Sequence, residues 1–337
     1  MKKMALITGI SGQDGAYLAK FLLNKKYKVV GTTKSLNKKK LTGLIKLNIL
    51  NKIKIDKMNI KYEKDIKKIF KKYKFDEVYN LAAQSSVSHS FKEPLETFSI
   101  NAFGVLNILN EIKNKKKIRF YQASSSEIFG NTGKIQQSEN TKFNPQSPYA
   151  NSKLIGHKMT KFFRNTYNLY AVSGIMFNHE SSLRSNKFIS KKIVNGLVKV
   201  SRNKIKNIEL GNIYVKRDWG YSKEYVEVMW KMLQQKKPSD YVIATGKSYT
   251  VKEFVNETAK SLKLHTKWTG KGENEKLIDK NNNKLIIKIN KKLYRSSDVY
   301  NTRGNISKAM KNLKWKPKTT FSKLIKILVK DEIDRVD

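Results

Sequence analysis

The sequence predicts an α/β fold, a doubly wound parallel sheet joined to a smaller mixed α/β lobe in the C-terminal half. Three observations predict it: glycines follow the first apolar segment, strand-like and helical segments then alternate, and the pattern loosens after Phe177. A chain of 337 residues is long enough for one large domain, a smaller lobe and an ample core.

The first segment predicts a strand, a glycine turn and a helix. Residues 4–7 are apolar, and Gly9, Gly12 and Gly15 follow them. From residue 14 onward, apolar residues recur at helical spacing, namely Tyr17, Leu18, Phe21 and Leu22. Such a turn lets the backbone approach a pyrophosphate, which the free N–H groups at the helix start also favour. Three glycines alone are weak evidence, and the alternative is an ordinary strand-to-helix turn.

The second strand is predicted over residues 28–32, and the residues after it bear on the choice of cofactor. A site specific for NAD usually has Asp or Glu at this strand end. Here Thr33, Lys34 and Ser35 stand instead, which favours the 2′-phosphate of NADP. The alternative is that Lys34 is one more solvated lysine in a lysine-rich chain.

The alternation continues through the first half of the chain. The strand-like segments are residues 77–81, 118–122 and 170–177, and the helical ones are residues 95–112 and 147–165. Alternation of this kind predicts a Rossmann-type parallel sheet that binds ligands at the carboxyl ends of its strands. Residues 80–85 and 123–127 follow two such strands, so we expect them to face the cleft, although either segment could be plain loop.

After Phe177 the chain is predicted to divide between two lobes. Helix 222–234 and strand 241–245 are expected to return to the first sheet. The first domain then comprises residues 1–177 plus 213–246, and the second lobe residues 178–212 plus 247–337. Four helices are assigned to the second lobe: residues 188–200, 251–262, 306–313 and 321–329. The lysine- and asparagine-rich stretch 271–292 predicts a mobile loop around residues 281–283.

The chain is strongly basic, with 70 Lys and Arg against 27 Asp and Glu, a net charge of +43. This balance suggests nucleic acid or another polyanion as partner, but the lysines are spread along the whole chain and no recognition motif accompanies them. We therefore expect no nucleic-acid partner. The chain has no cysteine and its four histidines lack ligand spacing, so no metal is expected. No segment suits a signal peptide or a membrane span, which favours a cytoplasmic location.

Seven short motifs together resemble the extended short-chain dehydrogenase/reductase family, and within it the GDP-mannose 4,6-dehydratases. They are LITGISGQDG at residues 6–15, VYNLAAQS at 78–85, YQASSSE at 121–127, SPYA at 147–150, FNHES at 177–181, RDWG at 217–220 and VIATG at 242–246. The resemblance extends to about residue 316. It implies conversion of GDP-mannose, or a related nucleotide sugar, to the 4-keto-6-deoxy product with NADP. The rivals are an NADP-dependent sugar-nucleotide epimerase or ketoreductase and, less favoured, a non-catalytic polyanion binder.

The resemblance assigns catalysis to Ser125, Glu127, Tyr149 and Lys153. Free tyrosine, with a pKa of about 10, is a poor base at neutral pH and needs a nearby cation. Lys153, one helical turn after Tyr149, is expected to supply that charge and to hold the nicotinamide ribose. Ser125 would hydrogen-bond the sugar oxygen, and Glu127 would remove the C5 proton and assist loss of water. A Tyr-x-x-x-Lys pair alone occurs on many helices by chance.

The resemblance also implies the binding residues. For the cofactor they are Gly9, Ser11, Gly12, Gln13, Asp14, Gly15, Lys34, Asn59, Leu81, Ala82, Ala83, His179 and Arg184, together with Tyr149 and Lys153. For the substrate they are Ser85, Asn178, Lys192, Arg217 and Arg295, although Lys192 and Arg295 could be solvated cations.

The chain departs from the family pattern at three places. Asn59 stands where an aspartate is usual, and Ser125 where threonine is common. The paired arginines and longer loop that come after the second strand in many relatives are also missing here. A homodimer through helices 95–112 and 147–165 is therefore favoured, with a homotetramer as the alternative.

Overall fold

The computed structural model describes residues 2–133, 135–294 and 298–336. Its strands are β1 (Met4–Thr8), β2 (Lys28–Thr33), β3 (Lys54–Lys57), β4 (Glu77–Asn80), β5 (Arg119–Ser125), β6 (Ala171–Met176), β7 (Asn178–Glu180), β8 (Ile208–Leu210), β9 (Lys216–Arg217), β10 (Trp219–Tyr221), β11 (Tyr241–Ile243), β12 (Tyr249–Thr250), β13 (Thr266–Thr269), β14 (Lys276–Asp279) and β15 (Leu285–Ile289). Its helices are α1 (Gln13–Asn24), α2 (Thr42–Lys46), α3 (Glu63–Lys72), α4 (Val87–Lys92), α5 (Pro94–Phe98), α6 (Gly104–Ile112), α7 (Pro148–Thr166), α8 (Ile189–Ser201), α9 (Ser222–Leu233), α10 (Val251–Ser261), α11 (Ser307–Leu313) and α12 (Phe321–Val336).

Seven parallel strands form the main sheet, in the order β11-β6-β5-β4-β1-β2-β3. Leu6 of β1 lies beside Val30 of β2 and Val78 of β4, and all three side chains are buried. Strands covered on both faces become continuous apolar segments, as β1 is. The strand order reverses between β1 and β4, where sheets of this kind bind their ligands. The predicted fold class is confirmed.

Helices cover both faces of this sheet. One core includes the apolar faces of α1 and α9, and the other is formed with α3, α6 and α7. A π-helical segment, Ser99–Phe103, joins α5 to α6, so the predicted helix 95–112 is continuous. Strand β3 was not anticipated because its sequence, Lys-Ile-Asp-Lys, carries charges at both ends and lies half exposed at the sheet edge. Within the described residues, no helix is long and apolar enough to cross a membrane.

A second core lies in the C-terminal half. Helices α8, α10 and α12 pack with a four-stranded sheet in the order β13-β14-β15-β8. The lysine- and asparagine-rich stretch 271–292 contains the antiparallel pair β14 and β15, which the sequence did not predict. The loop predicted around residues 281–283 is the turn between these strands, where Asn283 has φ +54°. The pattern was hidden because the buried Ile286 and Ile287 stand between the exposed lysines Lys284 and Lys288.

Helix α11 packs on the first sheet, not in the second lobe where the sequence placed it. Ala309 and Leu313 are buried in the same core as α1 and α9. Lys308 Nζ donates to Ser239 Oγ at 2.7 Å and to the carbonyl oxygen of Asp240, directly before β11, at 2.8 Å. Chain order alone gave no sign that this segment crosses back to the first sheet.

Candidate active site

The glycine turn between β1 and α1 is built by close backbone contacts. Gly9 has φ +70°, and a Cβ there would lie 2.9 Å from the Cα and N of Ala82. A Cβ on Gly15 would lie 2.6 Å from the carbonyl oxygen of Gly9. On Gly12, the N-cap of α1, a Cβ would meet only Gly9 O, at 3.4 Å. Among the described residues no side chain caps α1, so its first N–H groups are available to a phosphate.

A buried polar chain crosses the carboxyl ends of three neighbouring strands. Thr8 Oγ1 donates to Asn80 Oδ1 at 2.6 Å, and Asn80 Nδ2 donates to Gln122 Oε1 at 2.8 Å. The backbone N–H groups of Leu81 and Ala82 donate to Thr8 Oγ1 at 3.1 and 3.0 Å. This network holds Leu81 and Ala82 against the glycine turn. The sequence motifs predict no role for Thr8, which follows the apolar segment 4–7, or for Gln122, which ends the segment 118–122.

Ala83 and Ser85 come after this network and are exposed, and the segment that contains them is tied to helix α7. Asn101 accepts from the N–H of Gln84 and donates to its carbonyl oxygen, each at 2.9 Å. Asn101 Nδ2 also donates to Ser152 Oγ at 3.1 Å. Asn101 was another residue that sequence reasoning missed. It sits in the π-helical segment, which no sequence pattern announced.

Hydrogen bonds connect the start of α1 with β7 and the residues after it. They involve Gln13, Asp14 and His179, all of which are predicted to bind the cofactor. His179 Nε2 lies 2.8 Å from Asp14 Oδ2, and Ser222 Oγ donates to Asp14 Oδ1 at 2.7 Å. Gln13 Nε2 donates to the carbonyl oxygen of His179 at 2.8 Å, and Ser181 Oγ donates to Gln13 Oε1 at 2.8 Å. These side chains therefore dock β7 onto the start of α1.

The Asp14–His179 pair is partly buried, and its electrostatics favour the ionised state of both groups. Burial is the largest single influence on the pKa of His179 and lowers it, but the charge and hydrogen bond of Asp14 outweigh burial and the pKa is raised. Burial likewise raises the pKa of Asp14, but His179, Ser222 and Arg184 together bring it below its usual value. Each partner thus stabilises the charge of the other.

The four predicted catalytic residues lie where β5 ends and α7 begins. Ser125 ends β5, and Glu127 is in the 3₁₀ turn Ser126–Phe129 that comes next. The N–H of Glu127 donates to Ser125 Oγ at 3.3 Å. Helix α7 begins at Pro148, with Ser147 Oγ accepting from the N–H of Ala150 at 3.1 Å, so the helix start is fixed by a side-chain cap. Tyr149 and Lys153 then lie one turn apart.

Tyr149 is buried, and its surroundings act on its pKa in opposite directions. Burial raises the pKa of Tyr149 to about 12, the hydrogen bond with Ser125 and the charge of Arg184 lower it, and Glu127 raises it. Arg184 is thus one cation whose charge favours the phenolate form of Tyr149. Lys153 Nζ donates to the carbonyl oxygen of Ala123, and burial lowers the pKa of Lys153 to about 8. Ser125, Glu127 and Arg184 therefore all act on the pKa of Tyr149.

The predicted substrate residues differ in how far they are buried and bonded to other parts of the protein. Asn178 lies in β7, beside Trp219 of β10. The buried Arg217 donates to the carbonyl oxygens of Lys216, at 2.9 Å, and Val299, and pairs with Asp298 at 3.1 Å. Lys192 is half-buried, and burial lowers its pKa against the opposing charge of Glu209. Arg295 lies outside the described residues.

Asp218, next to Arg217 in the RDWG motif, has a structural role that the motif alone does not predict. Its carboxylate is fully buried and accepts from Thr245 N at 2.7 Å, Thr245 Oγ1 at 2.6 Å, Gly246 N at 2.9 Å and Gly304 N at 3.2 Å. Burial is the dominant influence and raises the pKa of Asp218 to about 6. Asp218 thus connects its own segment with residues 245–246 and with Gly304.

Lys34 and Asn59 lie at the ends of β2 and β3. Lys34 is exposed and lies 3.5 Å from Glu96. Asn59 Oδ1 accepts from the N–H of Lys61 at 3.2 Å, so this amide oxygen stabilises a turn. No carboxylate stands directly after β2, in agreement with the sequence.

A polar cleft of about 300 Å³ opens in front of α1. Its lining comes from four parts of the chain: Ser11, Gly12, Gln13, Thr42, Gly43, Lys46, Ser182, Leu183, Arg184, Ser185, Asn186, Lys191 and Arg335. A larger cavity of about 470 Å³, lined by Phe70, Phe75 and Lys115 among others, lies where β4 and β5 begin. That cavity is at the opposite edge of the sheet from the glycine turn, so the residues predicted to be catalytic are not near it. The smaller cleft is the one that adjoins the site.

The fold and this cluster together define an enzyme of the extended short-chain dehydrogenase/reductase type. The family model for GDP-mannose 4,6 dehydratase matches residues 6–328. Among similar proteins, the GDP-mannose 4,6 dehydratase of Drosophila melanogaster is 41% identical, covering 98% of this chain and 86% of that protein. The corresponding Vibrio cholerae protein is 37% identical, covering 99% and 94% respectively.

Solved structures with less than a quarter identity share the fold. UDP-glucose 4-epimerase with UDP-glucose from Thermotoga maritima has a TM-score of 0.84 at 19% identity, covering 99% of this chain and 100% of that one. The RMD structure from Pseudomonas aeruginosa complexed with NADPH has a TM-score of 0.79 at 18% identity, covering 99% and 100%. The dTDP-glucose 4,6-dehydratase of Bacillus anthracis in complex with NAD has a TM-score of 0.81 at 18% identity, covering 98% and 96%.

The chain belongs to the GDP-mannose 4,6 dehydratase family. The predicted resemblance is confirmed, and with it the prediction of a sugar-nucleotide dehydratase, which is a hydro-lyase.

Proposed function

We propose that this protein converts GDP-mannose to GDP-4-keto-6-deoxymannose, with NADP as its cofactor and with Ser125, Glu127, Tyr149 and Lys153 as catalytic residues. The observation that carries the proposal is the placement of Ser125, Glu127 and Tyr149 together where β5 ends and α7 begins. A hydroxyl, a carboxylate and a phenol act on one another at the carboxyl end of β5, where Glu127 bonds Ser125 through its backbone. A simple alcohol dehydrogenation needs no carboxylate there, whereas a dehydration does.

The residues present suit a dinucleotide. Gly9 and Gly15 are required by backbone contacts, while Gly12 leaves the start of α1 open, as a pyrophosphate site requires. The choice of NADP rests on the end of β2, where Thr33, Lys34 and Ser35 provide no carboxylate to repel a 2′-phosphate. Asn59 lies just after β3, and its amide is proposed to face the adenine.

Each catalytic residue has one proposed task. When bound, NADP would supply the hydride chemistry, taking a hydride from C4 of the hexose and giving it back at C6. Tyr149 takes the proton of the 4-hydroxyl, and Ser125 donates a hydrogen bond to the same oxygen. Glu127 takes the C5 proton and passes it to the 6-hydroxyl, which departs as water. The proton held by Tyr149 then returns to C5, so the hexose loses only the elements of water.

The basicity of Tyr149 is the demanding part of this sequence. With a pKa near 12 the phenol stays protonated at neutral pH, so its proton transfer depends on added positive charge. Arg184 supplies part of that charge in the structure, and the positive nicotinamide ring of the cofactor adds to it. Lys153 is proposed to hold the nicotinamide ribose, for which its buried position between β5 and α7 is suited.

Five residues are proposed to bind the nucleotide sugar. Arg217 is proposed to bind the nucleotide diphosphate through its planar guanidinium. Asn178, Lys192, Ser85 and Arg295 are proposed to complete the substrate contacts. Residues 178–212 and 247–337 are proposed to form most of the substrate lobe, with α11 returning to the first domain.

The test is incubation of the purified protein with GDP-mannose and NADP, with the products followed by mass spectrometry and by absorbance of NADPH. We expect a 4-keto-6-deoxy product without net build-up of NADPH. Glu127→Gln is expected to stop water loss while reduction of NADP at C4 survives, and Glu63→Gln, on the exposed face of α3, serves as the matched control. NADPH accumulation by the unaltered enzyme would contradict the dehydratase, and equal loss of both steps in Glu127→Gln would contradict the role of Glu127.

We also propose a homodimer through α5, α6 and α7. Leu95 and Phe103 are 83% and 60% exposed, and Ile155 and Phe162 of α7 are also exposed apolar residues. Large apolar side chains left exposed on neighbouring helices are typical of an interface. Phe103→Asp with Ile155→Asp is expected to give a monomer in analytical ultracentrifugation, and an unchanged sedimentation coefficient would contradict this face. The cytoplasmic location stays a prediction.

A further inference from the structure

We propose that Arg335, in the last turn of α12, and Lys46, at the end of α2, bind the pyrophosphate of the cofactor together with the start of α1. The inference rests on the proposed function and adds residues that neither the sequence motifs nor the comparisons assign. Both side chains line the cleft in front of Ser11, Gly12 and Gln13. The C-terminal helix of the second lobe would thereby form one wall of the cofactor site.

The charge of this cleft is set by two ion-pair groups. Arg184 lies 3.2 Å from Glu180 and stacks over the ring of Phe188, with its guanidinium carbon 3.5 Å from the ring centroid. Glu332, fully buried, accepts from Lys191, from Asn195 at 2.6 Å and from Arg335 Nε at 3.0 Å.

The balance of these groups is positive. With Lys46 added, the four cations that line the cleft face two partner carboxylates, which leaves a net charge of +2. A pyrophosphate diester carries two negative charges, so the net charge of the cleft is opposite in sign and equal in magnitude to that of the pyrophosphate. The uncapped N–H groups of α1 point to the same ligand independently, because they need an acceptor.

Arg335 is held in place, although it lies near the end of the chain. Leu324, Ile325, Leu328 and Val329 of α12 are buried in the second core, so the helix is anchored over most of its length. Glu332 then fixes the guanidinium of Arg335 beside Lys191. A pre-positioned guanidinium loses less conformational entropy on binding phosphate than a free surface lysine.

The competing explanation is that Arg335 and Lys46 are ordinary surface cations in a chain of net charge +43. Matched controls separate the two explanations. Lys330 lies on the same helix as Arg335, and Lys20 lies on α1, which packs against α2; both lysines are exposed and neither lines the cleft. Removing either control charge changes the net charge by the same amount as removing a proposed ligand.

The experiment is isothermal titration calorimetry of NADP and of NAD with the full-length protein and its variants. Arg335→Ala and Lys46→Ala are each expected to raise the dissociation constant of NADP about tenfold at low salt and less at high salt. The dissociation constant of NAD is expected to rise by the same factor, because the pyrophosphate is common to both dinucleotides. Lys330→Ala and Lys20→Ala are expected to change either constant less than about twofold, and Arg335→Lys to recover part of the loss.

Three results would overturn the inference: equal effects of Arg335→Ala and Lys330→Ala, a loss confined to NADP, or a loss that does not weaken with salt. A urea unfolding curve for each variant shows whether a loss of binding reflects loss of the fold, and Arg335→Lys keeps the test decisive in that case. Failure of the proposed function looks different, because the unaltered protein would then bind no dinucleotide or leave GDP-mannose unchanged. If the unaltered protein turns over GDP-mannose and Arg335→Ala leaves the dissociation constants of NADP and NAD unchanged, only this inference is overturned.

Discussion

The two glycines that flank the start of α1 provide a sharp test of how the cofactor site is built. In Gly15→Ala the new Cβ would lie 2.6 Å from Gly9 O and 2.8 Å from Ile10 Cα, both backbone atoms that cannot rotate away. Overpacking of this kind costs about 1–3 kcal/mol, and the better helix propensity of alanine offsets at most about 1 kcal/mol. We therefore expect the free energy of unfolding to fall by about 1–2 kcal/mol.

Gly12→Ala is the matched comparison. Its Cβ would meet only Gly9 O, at 3.4 Å, which is ordinary contact, and its backbone has φ −78°, which alanine adopts readily. Stability should therefore change by less than about 0.5 kcal/mol. The methyl group occupies the approach of the pyrophosphate, so NADP binding should weaken at least about tenfold.

Urea denaturation and calorimetric titration of NADP measure these two effects separately. The expected pattern is a loss of stability in Gly15→Ala and a loss of affinity without loss of stability in Gly12→Ala. Equal stabilities for Gly15→Ala and the unaltered protein would refute the close packing at this turn. Unchanged affinity in Gly12→Ala would refute the placement of the pyrophosphate.

Two further predictions concern charge and catalysis. Because the pKa of His179 is raised above 6.5, the contribution of His179 to stability is complete below pH 6.5 and is lost as the pH rises through the folded-state pKa. Because the pKa of Asp14 is lowered, the contribution of Asp14 is complete above pH 3.8 and is lost as the pH falls through the folded-state pKa. Asp14→Asn should flatten this pH dependence in chemical denaturation, and a curve parallel to that of the unaltered protein would argue against the pair. Tyr149→Phe should lower kcat by about 10²- to 10⁴-fold with little change in NADP affinity, since the phenol acts on the sugar proton; activity within about tenfold of the unaltered enzyme would exclude Tyr149 as the base.

The main sheet could be predicted from the sequence because its strands are short apolar segments that alternate with amphipathic helices. Strand β1 and helix α1 are examples, with the glycine turn between them fixed by local spacing. Strand β15 could not be predicted in the same way, because lysines mask its buried isoleucines. Helix α11 was recognised as a helix but assigned to the wrong core, since its partners lie about 70 residues earlier in the chain.

The residues predicted to be catalytic lie near one another, but the sequence does not predict all of their interactions. The sequence spacing of Tyr149 and Lys153 predicts a direct electrostatic effect of Lys153 on the phenol, and this effect stays a prediction. The fold adds the charge of Arg184 beside Tyr149 and a hydrogen bond from Lys153 Nζ to the carbonyl oxygen of Ala123. Thr8, Asn101 and Asp218 act through contacts between distant segments. Spacing along the chain contains no information on such contacts.

The measurement that tests the proposed reaction most directly uses GDP-mannose carrying deuterium at C4. We expect the deuterium to be recovered at C6 of the 4-keto-6-deoxy product, because the same enzyme-bound cofactor removes and returns the hydride within one turnover. Deuterium recovered in free NADPH, returned to C4, or washed into solvent would contradict this internal transfer.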